Sequence, residues 1–361
     1  MSKTTLIHDI AILGDGISGN AVALMLARVG LRVVLLSHSK LAARLPVGEH
    51  LAPQASPILQ AMSLQSPLKN PAHLPSPGAV TQWGSAPITA NSYSASTGGS
   101  GVNLDRVAFD ADLREWRGKA GVVHIPFAKM QNINRNGGVW DVSFENGNGH
   151  QVVQAHLLVD ATGRAAFVAR RLGAVQQEHD KLIALVGRFN DIPAGDNRLH
   201  IADAPEGWFY ALRQTGGRSI VVYLTDADLL PAGHTARRNH WQAALPDALR
   251  GFAPLQPAEL QQVDARSMVL QHSCGAGWLA VADAAMSFDP ISAAGITKAL
   301  RDAQLIRDAI MNNPTGQPAR WAALQEHRRQ TWQGYLAQRH AAYAACDKGG
   351  TFWQRRRSHP A

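Results

Sequence analysis

Gly14, Gly16 and Gly19 lie in the run "GDGISG" at the spacing G-x-G-x-x-G. Glycines so spaced permit a tight turn, a close backbone approach to a pyrophosphate, and close packing of a helix on a strand. The anion would meet the free N–H groups and partial positive charge of a helix start, which is dinucleotide chemistry. A second group, Asp283, Asp289, Pro290, Gly295, Ile296 and Thr297, sets carboxylates beside a small-residue turn and another helix start. Glu49 and His50 follow Gly48. A satisfied glutamate in a turn and an active-site pair both fit them, and His50 can move a proton near neutral pH.

These residues need elements to hold them. Asp9 to Leu13 is an apolar run of strand type, and Val22, Met25, Leu26 and Val29 share one face of a helix. Gly30 stands where that helix should stop, and Leu31 to Leu36 reads as a second buried strand, completing a βαβ unit. An acidic residue usually ends this strand and holds the ribose hydroxyls. Ser37 stands there instead, followed by His38, so the ribose is offered a hydrogen bond without charge. The glycines alone leave NAD and FAD open. Residues 156–174 turn at Asp160-Ala161-Thr162-Gly163 and read as a brace on the adenosine side. Residues 277–303 form a further strand–turn–helix corner, which a plain NAD dehydrogenase does not need and FAD does.

With 361 residues the chain has room for two lobes, and 45% hydrophobic with 17% charged residues is a globular balance. The 35 Lys and Arg against 27 Asp and Glu give a net charge of +8. The basic residues are scattered except in the tail "QRRRSHP", and no basic stripe interleaves with aromatics, so nucleic acid is not an expected partner. A basic surface with no specific partner fits the charge, and so does an acidic macromolecular one. No run of about 18 uncharged apolar residues suggests a membrane span. Cys274 and Cys346 form no CxxC pair and fit a reducing, cytoplasmic setting. Each reads as a packing residue, Cys346 in a terminal helix. The 15 histidines show no metal-ligand spacing, so no metal is expected. Asp226 and Asp228 read as a strand-end turn with a helix cap, and Trp208, Phe209 and Tyr210 as core.

The early glycine loop, "DATGR" at 160–164 and the late "ADAAMSFDPISAAGITKAL" together resemble single-component flavin monooxygenases and flavin-dependent halogenases. Within that group the chain is similar to the modifying flavoproteins that help build tryptophylquinone cofactors, the partners of quinone-containing lysine and glycine oxidases. Residues 44–64, 101–113, 207–230 and 351–357 extend the resemblance over nearly the whole chain. It implies FAD held by Gly14, Gly16 and Gly19, with Arg44 and Arg106 along the pyrophosphate and ribityl chain. It also implies Asp283 on a ribityl hydroxyl and Pro290 to Thr297 beside the flavin pyrimidine end, where the helix dipole favours negative charge on reduced flavin. The halogenase signature W-x-W-x-I-P is absent, residues 115–126 do not fit it, and no lysine has the context of the halogenase tunnel lysine. Halogenation is therefore not expected.

The fold expected is α/β (α+β): a Rossmann-type FAD-binding lobe from 1–75, 100–175 and 262–310, an inserted antiparallel-sheet substrate lobe from 76–99 and 176–261, and C-terminal helices with a basic tail over 311–361. The function implied is FAD-dependent monooxygenation, with O₂, of a tryptophan in a precursor amino-acid oxidase on its way to cysteine tryptophylquinone. A hydroxylase of small aromatic metabolites and a non-catalytic FAD-containing chaperone of the oxidase are the alternatives. No second G-x-G-x-x-G occurs, so the reductant is external: transient NAD(P)H or another protein.

Overall fold

The computed structural model describes residues 6–39, 47–64, 66–93 and 99–358. Strand β1 spans Ile7–Leu13, helix α1 Ile17–Arg28 and strand β2 Val33–His38. The two strands pair in parallel from Ile10↔Val33 to Leu13↔Leu36. Strand Gly149–Asp160 lies parallel on the other side of β1, strand Trp278–Ala280 beyond it, and strand Val123–Phe127 beyond β2. Side chains alternate across a strand, so β1 is apolar at successive positions because both of its faces are covered. Ile10 and Ile12 pack towards α1 and helix Gly295–Asn312, while Ala11 and Leu13 pack towards the hairpin Lys129–Asn146. Helix α1 ends a residue before Val29, which is 41% exposed, because the chain must turn at Gly30 (φ +88°) to enter β2.

A second sheet has seven strands, in the order 260–264, 182–189, 218–226, 207–214, 199–204, 78–82 and 89–92. All neighbours are antiparallel except Leu199–Ala204 with Gly78–Gln82. The segment 74–101 thus adds two strands to this sheet. One face, with Ile183, Leu185, Phe209, Val221 and Tyr223, packs on Trp241 of helix His234–Ala244. The other carries Ala184, Val186, Trp208, Tyr210, Ile220 and Val222, and it faces Val47 and Ile291. Trp208 and Phe209 are core residues; Tyr210 is half-buried.

Helices Ala322–Ala344 and Thr351–Ser358 cover part of that second face, burying Tyr343, Cys346, Phe352 and Trp353. The tail is not a free basic patch. Arg356 is 4% exposed, pairs with Asp226 at 2.8 Å and lies 3.5 Å over the Phe352 ring. Arg355 reaches Asp226 and Asp228, and Arg357 donates to the carbonyls of Cys346 and Lys348. This corrects the helix-cap reading: Asp226 makes no side-chain cap bond, because a buried guanidinium demands its carboxylate. Cys274 and Cys346 are both buried and free. Among the described residues no helix is long and apolar enough to cross a membrane, and no group of three His, Cys, Asp or Glu is placed to hold a metal.

Candidate active site

Three glycines behave differently in the loop between β1 and α1. A Cβ on Gly14 would lie 2.3 Å from the carbonyl oxygen of Ala161, and Gly14 has φ +110°. A Cβ on Gly19 would lie 1.8 Å from the carbonyl oxygen of Gly14. Protein packing therefore demands both. A Cβ on Gly16 would meet nothing within 4 Å, so the described residues leave open space there. Helix α1 starts with no side-chain cap and no acid in its first turn, and helix Gly295–Asn312 starts the same way. Their first N–H groups have no side-chain acceptor. Helix Arg106–Lys119, by contrast, is capped by Asp105, which accepts from the Ala108 N–H at 3.0 Å. An open loop at Gly16 and two uncapped helix starts fit a ligand with phosphates at one end and a polar ring at the other.

The glycine loop and the end of β2 are supported from within. Asn20 is fully buried, donates to the carbonyls of Asp15 and Gly16, and accepts from Arg117 at 2.7 Å. Asp160 accepts from the Thr162 N–H and hydroxyl and from the Ala169 N–H, so it braces the turn beside Gly14. Ser37 is buried and its hydroxyl lies 2.8 Å from His124 Nε2. Burial and the Arg117 charge lower the His124 pKa, so a neutral imidazole backs the serine where a carboxylate would stand. Arg44 lies outside the described residues.

Arg106 opens its helix and is held between two carboxylates, Glu49 Oε1 at 2.7 Å and Asp110 at 3.0 Å. Gly48 has φ +81°, and a Cβ there would lie 3.0 Å from Ile220 Cγ2, so Glu49 is threaded tightly beneath the seven-stranded sheet. Its Oε2 is buried and has no hydrogen-bond partner among the described residues. Burial pushes the Glu49 carboxyl above its ordinary value against the attraction of Arg106, whose charge Asp110 shares. The Tyr210 hydroxyl donates to the Val47 carbonyl at 2.7 Å beside it.

His50 points differently. Asn103 donates through Nδ2 to the Asn197 carbonyl at 2.9 Å, which leaves its Oδ1 as an acceptor for His50 Nδ1–H at 2.8 Å. His50 Nε2 then accepts from the Tyr93 hydroxyl at 3.1 Å. Burial lowers its pKa, so the ring is neutral at pH 7 with both nitrogens engaged.

Asp283 lies at the other end, 2.7 Å from Lys298 Nζ. Lys298, Arg164 and Arg106 hold its carboxyl below the ordinary range although burial opposes them. Lys298 is only 9% exposed, also donates to the Met286 carbonyl, and sits 4.3 Å over the Phe288 ring. Pro290 begins a short turn, Gly295 begins the helix, and Ile296 buries its side chain in the core, offering only backbone. Arg106 and Asp283 are thus within electrostatic reach of each other, Glu49 is bonded to Arg106, and Gly14 contacts the turn at Ala161. Sequence reasoning missed Lys298, Asn103, Tyr93 and Arg164. For Lys298 the signal was faint: it neighbours the buried positions Ala299 and Leu300, but its context is that of any surface lysine.

Comparisons with known proteins agree with this fold. The FAD binding domain family matches residues 8–334. The putative FAD-dependent oxidoreductase LodB of Marinomonas mediterranea is 29% identical over 307 residues, covering 82% of each chain. A structure described as the peptidyl tryptophan dihydroxylase QhpG, essential for tryptophylquinone cofactor biogenesis, aligns with 98% of this chain and 79% of its own at TM-score 0.78 and 24% identity. The myxobacterial chondrochloren halogenase CndH aligns with 97% of this chain and 86% of its own at TM-score 0.83 and 21% identity. From its open glycine loop to its uncapped late helix, the chain belongs to the FAD binding domain family and is an FAD-dependent oxidoreductase.

Proposed function

We propose that this oxidoreductase hydroxylates a tryptophan side chain of a precursor amino-acid oxidase, as a step towards cysteine tryptophylquinone, using O₂ and an external reductant. One observation carries the substrate class: the likeness to the peptidyl tryptophan dihydroxylase runs over 98% of the chain. The resemblance to LodB over 82% of both chains supports FAD-dependent oxidoreductase chemistry. When bound and reduced by the external reductant, FAD would supply the two electrons with which O₂ places one atom on an electron-rich ring and leaves the other as water.

The protein's own residues do the rest. Gly14, Gly16, Gly19 and the start of α1 would bind the pyrophosphate, and Ser37 with His124 would meet the ribose. Arg106 and Asp283 would hold the ribityl chain, and the backbone from Pro290 through Gly295 and Ile296 would seat the ring. Glu49 handles a proton in this reading, supported by one oxygen anchored on Arg106 and the other buried with no hydrogen-bond partner among the described residues. His50 holds the strand Gly101–Asn103 and Tyr93 in place through its two bonded nitrogens. The cysteine usage of the chain suits a reducing, cytoplasmic setting for this reaction.

The test is direct. The holoprotein is mixed with a precursor oxidase, O₂ and reduced FAD, and the precursor is followed by mass spectrometry. An oxygen-dependent mass gain on a tryptophan peptide supports the proposal. No gain on any precursor, with brisk hydroxylation of a free small aromatic, overturns it.

A further inference from the structure

Asp289 is fully buried directly ahead of Pro290, and its outside partners come largely from one helix. Its N–H donates to the Tyr335 hydroxyl at 2.8 Å. Its Oδ2 accepts from the Tyr343 hydroxyl at 2.7 Å and from Arg339 Nε at 3.2 Å. Its Oδ1 is used inside the turn, accepting from the Ile291 N–H at 2.9 Å. Tyr335, Arg339 and Tyr343 stand four residues apart on helix Ala322–Ala344 and so form one stripe.

The stripe is itself locked. Tyr335 bonds Ser267, Arg339 pairs with Asp180 at 2.9 Å, and Tyr343 accepts from Trp208 Nε1 at 3.0 Å. Tyr335 also stacks on Phe288 with ring centroids 4.0 Å apart, and Lys298, the partner of Asp283, lies over that same ring. All three residues lie beyond the family match, which ends at residue 334.

We propose that Tyr335, Arg339 and Tyr343 are positioning residues for the flavin, acting through Asp289 to fix the Pro290 turn and the start of helix Gly295–Asn312. The inference rests on the seating of the ring at Gly295 proposed above. A short turn of 3-10 type separates Asp289 from Gly295, so a shift of the carboxylate tilts the helix start whose N–H groups would face the ring. That start favours negative charge on the reduced flavin, so its tilt makes reduction harder.

The experiment uses the full chain, deflavinated and titrated with FAD. Far-UV circular dichroism, melting temperature, FAD Kd and flavin midpoint potential are read for Tyr343→Phe, Arg339→Gln, Trp353→Phe and Gly295→Val. Trp353, on the neighbouring C-terminal helix Thr351–Ser358, donates to the Ala204 carbonyl of the seven-stranded sheet and is the control for mere loosening. A Cβ on Gly295 would meet no protein atom within 4 Å, so Gly295→Val reports on the ring alone.

Tyr343→Phe and Arg339→Gln should keep the fold, weaken FAD about tenfold and move the midpoint to more negative potential. Trp353→Phe should lower the melting temperature and leave both flavin readings alone. If Tyr343→Phe and Arg339→Gln behave like Trp353→Phe while Gly295→Val still weakens FAD, the inference falls and the seating stands. If Gly295→Val also leaves FAD untouched, the seating itself is wrong and the inference falls with it. Should Arg339→Gln fail to fold, Tyr343→Phe decides alone, since it removes a single hydroxyl.

Discussion

At the scale of single residues, Gly16 is the sharpest test of the cofactor loop. Its Cβ position is empty of protein, so Gly16→Val should leave the fold intact and abolish FAD binding, read as loss of the flavin absorbance after gel filtration. Asp283→Ala should do two things, because it removes both the proposed flavin contact and the ion partner of buried Lys298. Asp283 is partly exposed, so the stability loss should be about 1–3 kcal/mol, below that for a fully buried pair. Adding Lys298→Met should restore stability without restoring FAD affinity, and a double-mutant cycle separates the two effects. Glu49→Gln should retain FAD and lower turnover by about 10²–10⁴-fold, the usual worth of a positioned acid or base. The Glu49 pKa is raised by folding, so its contribution to stability is complete below the ordinary value of 4.5 and is lost as pH rises through the folded value. Glu49→Gln should remove that loss, seen as a flatter dependence of melting temperature on pH. Unchanged turnover in this variant would return Glu49 to the role of a turn residue.

The informative elements are the C-terminal helices, which carry more of the architecture than their basic composition suggests. Arg356 and Asp226 are each only 3% exposed at the side chain, so Arg356→Gln leaves a buried carboxylate short of a partner. A cost of about 3–5 kcal/mol and a large drop in melting temperature are expected, whereas Arg357→Gln should have little effect. The same clamp is sensitive to acid. Arg355 and Lys181 hold the Asp228 carboxyl well below its ordinary value of 3.8. Its stabilising contribution is therefore complete above 3.8 and drains away as pH falls towards the depressed folded value. Limited acid proteolysis should cut near Thr351–Ser358 first, and Asp228→Asn should make that cleavage independent of pH in this range.

For the whole molecule, the net charge of +8 bears on how a folded partner arrives. If the precursor is acidic, its association rate should fall as salt rises, since the Debye length is only about 8 Å at physiological ionic strength. Stopped-flow binding between low and high salt measures this, and a salt-independent rate would remove charge steering. The tail arginines are not suitable probes, because Arg355 and Arg356 are spent on Asp226 and Asp228. The likeness to halogenases, in sequence and in fold, calls for a direct check of halogenation. Supplied with reduced FAD, O₂, chloride and free tryptophan, the enzyme should give no chlorotryptophan, and detection of that product would overturn the hydroxylation proposal.

Much of this protein was legible in its residues. The βαβ unit could be read because its signals are local: a buried run, three glycines at fixed spacing, an apolar helical face and a stop at Gly30. Local sterics dictate each of these, so sequence order alone suffices. The family could be read for the same reason, since its motifs are backbone corners whose residue types are fixed by φ angles and close approach, as at Gly14 and Gly19. What the sequence could not decide are the partnerships made across long separations. Nothing near Arg356 points to Asp226, nothing near Lys298 points to Asp283, and nothing near Tyr343 points to Asp289. Lone charged and phenolic residues look alike along the chain whether solvated or buried. Only the tertiary fold brings such groups out of water, and burial then makes an unpaired charge or hydroxyl costly enough that a particular partner must meet it.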